Sequence, residues 1–269
     1  MKNRVTIGNM PELPYSIEEA LNRLRINISF LGNDIRKIMV ISTMPNEGKS
    51  FVTMQLWHQM AQAGVSSVLV DADMRKSVMA DKYDIKLEGK GKILGTSGFL
   101  ANDCFLEDAI LHTELENGDL LPNIDNVVNP SLLLDSSRFQ EMLEELAKQY
   151  RYVFVDSPPL NQVSDGERIG NLCDGAILVV RGGVTSRTMV KNSIRQLERA
   201  GCPLLGIVLN RVEGARGGYY YKKYGGRYYG RYGRYGKYYG KYGYGKYGGY
   251  GEYGKYGEYS DYYYYGGKN

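Results

Sequence analysis

The sequence predicts an α/β fold, a parallel β-sheet covered by helices on both faces, followed by a C-terminal tail with no core of its own. Three observations carry that expectation. Five strand-sized runs, residues 37–43, 67–70, 152–155, 175–180 and 204–209, are almost wholly apolar. Stretches with helical periodicity lie between them, and this alternation makes a sheet buried on both faces. From Gly217 to Lys268, Leu, Ile, Val, Met and Phe are absent, while 21 of the 25 tyrosines fall between Tyr219 and Tyr265. Such a segment cannot bury enough apolar surface to order itself, so a disordered tail is expected from residue 214 to 269.

The elements follow in order. Residues 1–14 read as an irregular arm ending at Pro14. Ser16 stands three residues before Glu19, a capping-box spacing, and Ile17, Leu21, Leu24 and Ile28 recur at helical intervals. Together they predict a helix over 17–31. A buried strand at 37–43 leads through a loop, Met44 to Gly48, into a helix from Lys49 to Ala63. The strand at 67–70 ends in Asp71, and residues 76–106 read as a Lys/Gly-rich loop with a short helix. A short strand is expected at Leu120–Leu121, then a loop around Asn129-Pro130 and an amphipathic helix from Ser137 to Gln149. The strand at 152–155 ends in Asp156-Ser-Pro-Pro. After the strand at 175–180 comes a helix from Thr188 to Ala200, and the last strand stops at Asn210-Arg211. Parallel sheets bind ligands at the carboxyl ends of their strands, so Thr43, Asp71, Asp156, Arg181 and Asn210 should share one edge.

Charge divides the chain. Residues 214–269 hold 11 Lys and Arg against 3 Asp and Glu, whereas residues 1–213 hold 23 against 27. A basic tail on an acidic body is suited to meet that body or an anionic partner. Cys104, Cys173 and Cys202 are scattered and odd in number. They make neither a disulfide framework nor a zinc site, and fit a reducing cytoplasm. No signal peptide is evident and no apolar run exceeds strand length, so no membrane span is expected.

The chemistry centres on Ser42-Thr43-Met44-Pro45-Asn46-Glu47-Gly48-Lys49-Ser50. Against the phosphate-loop pattern G-x-x-x-x-G-K-[ST], only the first glycine differs, being Thr43. Backbone N–H groups of such a loop at a helix N-terminus cradle phosphate oxygens, the lysine neutralises phosphate charge, and the Ser50 hydroxyl binds Mg2+. The fold expected is therefore P-loop NTPase-like, with ATP and Mg2+ as ligands. Thr43, Asn46, Glu47, Gly48, Lys49, Ser50 and Phe51 form the predicted nucleotide-binding segment, and Asn210-Arg211 are placed to flank the base. Asp71 and Asp73 follow a buried strand at i and i+2, which sets two carboxylates on one side for a cation or a general base. Asp156 ends an apolar strand, the usual partner of a phosphate loop on Mg2+. Lys49, Asp71, Asp73 and Asp156 are thus the catalytic candidates, with Ser50, Asp71 and Asp156 as metal ligands. Asp165, Asp174 and Arg181 are weaker candidates. Trp57 and His58 read as packing and surface residues, and no Ser-His-Asp or Cys-His set is present.

Residues 1–215 closely resemble the bacterial tyrosine kinases of capsule and exopolysaccharide assembly, in the split form whose kinase is a separate cytoplasmic chain. Ser42 to Ser50 resemble the family's S-x-x-P-G-E-G-K-S, and Val68 to Arg75 its second aspartate motif ending D-x-D-x-R. Tyr150 to Pro159 resemble YDxVxxDSPP. Asn129-Pro130-Ser131 with Leu133 resemble N-P-x-x-L, and Val208-Leu209-Asn210 resemble V-L-N. The chain departs from these patterns at Asn46 (usually Gly), Arg151 (usually Asp) and Ser77 (often Pro). In the first helix, Glu19, Asn22 and Arg25 stand where E-x-x-R-x-x-R serves ring assembly, so the first arginine is replaced.

The resemblance implies an ATP-dependent protein-tyrosine autokinase with three segments: an arm and oligomerisation helix over 1–31, a kinase domain over 32–213, and an autophosphorylation tail over 214–269. Asp71 would accept the tyrosine proton and Asp73 would support the metal shell. Acceptors would include Tyr250, Tyr253, Tyr256, Tyr259, Tyr262, Tyr263, Tyr264 and Tyr265. Implied partners are further copies in a ring-like homo-oligomer, a transmembrane chain-length regulator that activates the kinase, and a cognate tyrosine phosphatase, with no specific nucleic acid. The chain would be cytoplasmic, recruited to the inner face of the plasma membrane, and would regulate polysaccharide synthesis and export. Each phosphate adds about −1.5 to −2 charges, so roughly four or five would cancel the tail's surplus and loosen its docking at an acidic site. Two other readings stay open: a partition-type ATPase switch without kinase activity, and a tail that grips anionic polymers through stacked rings and cations. The first lacks that group's signature lysine, because Met44 holds its position.

Overall fold

A computed structural model describes residues 3–124, 127 and 129–212. The predicted tail lies outside the described residues. The arm is not irregular: β1 (Val5–Ile7) pairs antiparallel with a later strand, β4 (Ile85–Leu87). Val5 is fully buried there, so a single apolar side chain anchors a segment too short to show strand periodicity. Helix α1 (Tyr15–Ser29) starts earlier than predicted and has no side-chain cap. The carbonyl of Pro14 already accepts the N–H groups of Ile17 and Glu18, which places Ser16 inside the first turn rather than at its cap.

The chain then builds β2 (Lys37–Ser42), α2 (Lys49–Gln62), β3 (Ser67–Asp71), α3 (Met79–Lys82) and β4. After α4 (Gly95–Leu100) and α5 (Leu106–Ala109) come β5 (Leu111–His112), β6 (Gly118–Leu121), α6 (Pro130–Leu134) and α7 (Ser137–Gln149). Last are β7 (Tyr152–Asp156), α8 (Asp165–Asn171), β8 (Gly175–Arg181), α9 (Arg187–Arg199) and β9 (Leu204–Asn210). Seven strands form the main sheet in the order β5-β6-β3-β7-β2-β8-β9, parallel throughout except for the β5 edge. The sheet therefore holds the five predicted strands and β6, with a two-residue edge strand that carries no pattern of its own.

Two apolar layers sandwich the sheet. On one side Met54, Leu56, Trp57 and Met60 of α2, with Ile28 of α1, pack on Ile38, Leu69 and Phe154. On the other, Phe139, Leu143 and Leu146 of α7, Ile169 of α8 and Leu197 of α9 pack on Met39, Val68, Val153 and Leu178. Alternate residues of each central strand thus enter opposite layers, which is why these strands are apolar throughout. The exception is β9. Ile207 and Leu209 are 49% and 51% exposed, because an edge strand has no neighbour on its outer side. The chain from Met1 to Glu213 forms one compact unit.

Candidate active site

The loop between β2 and α2 is shaped by its own sequence. Gly48, at the N-cap of α2, has φ of +94°. A Cβ there would stand 2.2 Å from the Asn210 Nδ2, so both the turn and the close approach demand glycine. Asn46 also has positive φ, +62°. Asn is the residue after Gly that best tolerates this region, which explains how it replaces the glycine found in similar loops. The loop delivers the free N–H groups of the first turn of α2, and with them the positive end of the helix dipole, to the carboxyl edge of the sheet.

The side chains of three residues predicted to bind nucleotide brace the loop. Glu47 is 2% exposed. One carboxylate oxygen accepts the Met44 N–H at 2.8 Å; the other accepts the Arg181 N–H at 3.2 Å and the Thr185 hydroxyl. Asn210 Nδ2 donates to the Glu47 carbonyl at 2.8 Å. Thr43 is fully buried; its hydroxyl accepts from Ser193 at 3.2 Å and its carbonyl accepts the Asn161 N–H at 3.2 Å. Glu47, Thr43 and Asn210 therefore hold the loop to β8, α9 and β9.

The sheet register brings the acids together. Asp71 lies directly beside Asp156 on neighbouring β3 and β7, and Asp156 beside Val40 of β2. Lys49 Nζ reaches Asp73 at 2.9 Å, Asp156 at 3.5 Å and the Ser50 hydroxyl at 3.2 Å. Burial alone would lower the Lys49 pKa; Asp156 and Asp73 outweigh it and hold the ammonium above its ordinary value. Asp71 is pushed up to about 7, by burial first and then by Asp156, with Ser77 and Lys49 partly offsetting. Burial raises Asp156 as well, against the pull of Lys49 and Ser50. Both Asp71 oxygens are engaged, one by the Ser77 hydroxyl and one by the Asp73 N–H at 3.1 Å. Three buried carboxylates thus share one ammonium, a charge imbalance that suits a bound cation. Among the described residues no three His, Cys, Asp or Glu side chains are arranged to close on a metal by themselves. A cation here would complete its shell with water and phosphate oxygens, as Mg2+ commonly does.

A cleft of about 230 Å³ opens in front of this cluster, lined by Asn46, Gly48, Lys49, Ser50, Phe51, Asp73 and Arg211, with Pro158 and Pro159 opposite. Lys76 and Lys82 line it too, and the only signal for either in the sequence is a generally basic loop. Lys82 Nζ sits 5.5 Å from the Phe51 ring centroid and 5.2 Å from that of Tyr83. Of the weaker candidates, Asp165 is buried, pairs with Arg75 at 2.6 Å and accepts from Ser131 at 2.9 Å. It ties the segment after β3 to the start of α6. Asp174 lies at the opposite end of the sheet, where it accepts the Arg36 and Lys37 N–H groups at 2.9 and 2.7 Å and takes no part in the cleft. Trp57 is core, donating to the Ser67 carbonyl at 3.3 Å. The predicted acceptors Tyr250, Tyr253, Tyr256, Tyr259, Tyr262, Tyr263, Tyr264 and Tyr265 all lie outside the described residues, so the structure does not place them at the cleft.

Comparison with known proteins agrees with this geometry. Residues 35–166 match an AAA domain family. The chain is 35% identical over 195 residues to the tyrosine-protein kinase CpsD of Streptococcus agalactiae, covering 72% of this chain and 82% of that protein. It resembles the crystal structure of the chimerical protein CapA2B2 with a TM-score of 0.67 and 30% identity, over 77% of this chain and 92% of that one. The septum site-determining protein MinD from Pyrococcus horikoshii, complexed with Mg-ADP, shares the fold at a TM-score of 0.57 and 24% identity, over 68% and 72%.

Proposed function

The chain belongs to the bacterial tyrosine-protein kinase family and is an enzyme of that class, and we propose that its acceptors are the tyrosines of its own tail, phosphorylated between subunits. The observation that carries the proposal is the Lys49 ammonium held between Asp73 and Asp156 beside a phosphate loop, in a chain that ends in 21 tyrosines.

ATP is the substrate. The loop N–H groups from Asn46 to Ser50 bind its phosphates, and Lys49 stabilises charge on the transferring group. Phe51, Lys82 and Arg211 shape the cleft beside it. Ser50 and Asp156, with Asp71 nearby, would hold Mg2+, which would supply charge neutralisation at the phosphate oxygens. Asp71, beneath the cleft with both oxygens engaged, would accept the tyrosine proton through a bridging water, and Asp73, which lines the cleft, would position Lys49 and the metal's water shell. A Gly-rich tail has the reach to enter a neighbour's cleft.

The family resemblance supports the wider setting: a ring-like homo-oligomer built through α1, activation by a transmembrane chain-length regulator, reversal by a tyrosine phosphatase, and control of polysaccharide synthesis and export. No described helix is long and apolar enough to cross a membrane, so recruitment to the inner face of the membrane would fall to the partner. Incubation of the full chain with ATP and Mg2+ tests the proposal. The expected result is phosphotyrosine mapped by mass spectrometry to residues 219–265 and lost in Lys49→Ala. ATP hydrolysis without phosphotyrosine would instead mark a nucleotide switch.

A further inference from the structure

Outside the cleft, one face of α9 is strongly basic. Arg187, Lys191, Arg195 and Arg199 follow one another at four-residue intervals, and all four are exposed. That spacing stacks them along one side of the helix, about 6 Å apart, a ridge of about 18 Å. Glu198 is the one acidic residue between Arg187 and Arg199. Among the described residues none of the four cations stands in an ion pair. Arg195 and Arg199 also line, with Asn161, Asn192 and the carboxylate of Glu198, a surface groove of about 720 Å³, larger than the nucleotide cleft. On a body with more acids than bases, this is a local reversal of charge.

The same helix touches the phosphate loop. Ser193 on its buried side donates to the Thr43 hydroxyl, and Asn161 at the groove binds the Thr43 carbonyl through its N–H. The ridge therefore lies on the back of the element that holds ATP phosphates.

The tail supplies a matching charge. Its basic residues concentrate before residue 250, whereas residues 250–265 carry one lysine, two glutamates and one aspartate among eight tyrosines. Tyr250, Tyr253, Tyr256, Tyr259 and Tyr262 recur at every third residue. In an extended peptide such tyrosines stand about 10 Å apart. Three phosphates at that spacing span about 20 Å, the length of the ridge, and guanidinium groups bind phosphate oxygens through paired, charge-assisted hydrogen bonds.

We propose that the basic face of α9 binds the phosphorylated end of a second copy's tail, residues 250–265. The proposal rests on the autokinase reading for the source of the phosphotyrosine. Residues 250–265 carry a net charge of −2 before phosphorylation and each phosphate adds about −1.5 to −2, so attraction to the ridge grows with every tyrosine modified.

The test uses the full chain, treated with a tyrosine phosphatase and freed of nucleotide. Synthetic peptides of residues 250–265, with and without phosphate on Tyr253, Tyr256, Tyr259 and Tyr262, are titrated by fluorescence anisotropy. The phosphopeptide should bind about tenfold or more tightly than its unmodified twin, and Lys191→Glu with Arg195→Glu should weaken it by about tenfold or more. That variant should melt at an unchanged temperature, since both side chains are exposed, and Arg195→Lys should keep most of the affinity. Equal binding of the two peptides, or undiminished binding by the charge-reversed variant, would overturn the proposal. So would displacement of the peptide by an equal concentration of inorganic phosphate, which would mark a simple anion site. Loss of binding to phosphatidylserine vesicles in the variant, with phosphopeptide binding intact, would assign the ridge to a lipid surface and refute the proposal. Failure of the autokinase reading shows separately, as absence of phosphotyrosine after incubation with ATP and Mg2+.

Discussion

At the residue scale, the site is a balance between three buried carboxylates and one ammonium. Asp71 has the clearest consequence for stability. Its folded-state pKa is raised, so the folded protein binds its proton more tightly than the unfolded chain does. Stability from this group is therefore greatest below the unfolded carboxylate value and is lost as pH rises towards about 7. Asp71→Asn should raise the melting temperature of the nucleotide-free, metal-free protein at pH 8, with the gain vanishing near pH 4, while tail phosphorylation is lost. A calorimetric scan across that range checks it; a variant less stable than wild type at pH 8 would contradict the charge imbalance. The acids themselves were legible in the sequence, because each lies at the end of an apolar run or just beyond it. Which of them lines the cleft was not: Asp73 does, whereas Asp71 lies beneath it with both oxygens engaged.

At the element scale, the strand–loop–helix unit from Lys37 to Gln62 sets the geometry, and Gly48 is its tightest point. Gly48→Ala forces a Cβ onto the Asn210 amide at a residue with positive φ, so the loop must shift. ATP affinity, measured calorimetrically, should fall by about tenfold or more, in keeping with the strain of a left-handed residue added to a close contact. Asn46→Gly should leave affinity nearly unchanged in the same titration, because glycine accepts the same φ. Asp174→Ala serves as the contrast. It strips two N–H partners from the start of β2 at the far end of the sheet, and should cost about 1–3 kcal/mol of stability in a denaturant melt, with ATP affinity unaltered. The central strands were legible because parallel strands buried on both faces are apolar at every position. Elements β1, β4 and β5 were not, since two or three residues show no period and pair only through long-range contacts. The helix α8 was missed because its seven residues, Asp-Gly-Glu-Arg-Ile-Gly-Asn, read as a polar turn.

At the scale of the whole molecule, body and tail follow different physics. Met1 to Glu213 forms a compact unit with its own core. A chain ending at Glu213 should therefore melt at the temperature of the full chain and still bind ATP, while forming no phosphotyrosine; a lowered melting temperature would show that the body depends on the tail. The opposed charges of body and tail were legible from composition. The basic ridge on α9 was present in the sequence as well, at i, i+4, i+8 and i+12, but nothing there set it against the back of the phosphate loop.

The parallel α/β sheet, the phosphate loop, the three aspartates and the tyrosine tail could all be read before any coordinates, because each is a local pattern: an apolar run, a spaced motif or a composition. Which side chains face the cleft and which hold it together emerged only from the folded chain. Glu47 and Thr43, set within the loop motif, turn inward to β8 and α9, while Lys82, outside every motif, lines the nucleotide cleft. That division depends on contacts between residues more than a hundred positions apart, such as Glu47 with Arg181 and Asn210, and no local pattern carries information over that distance.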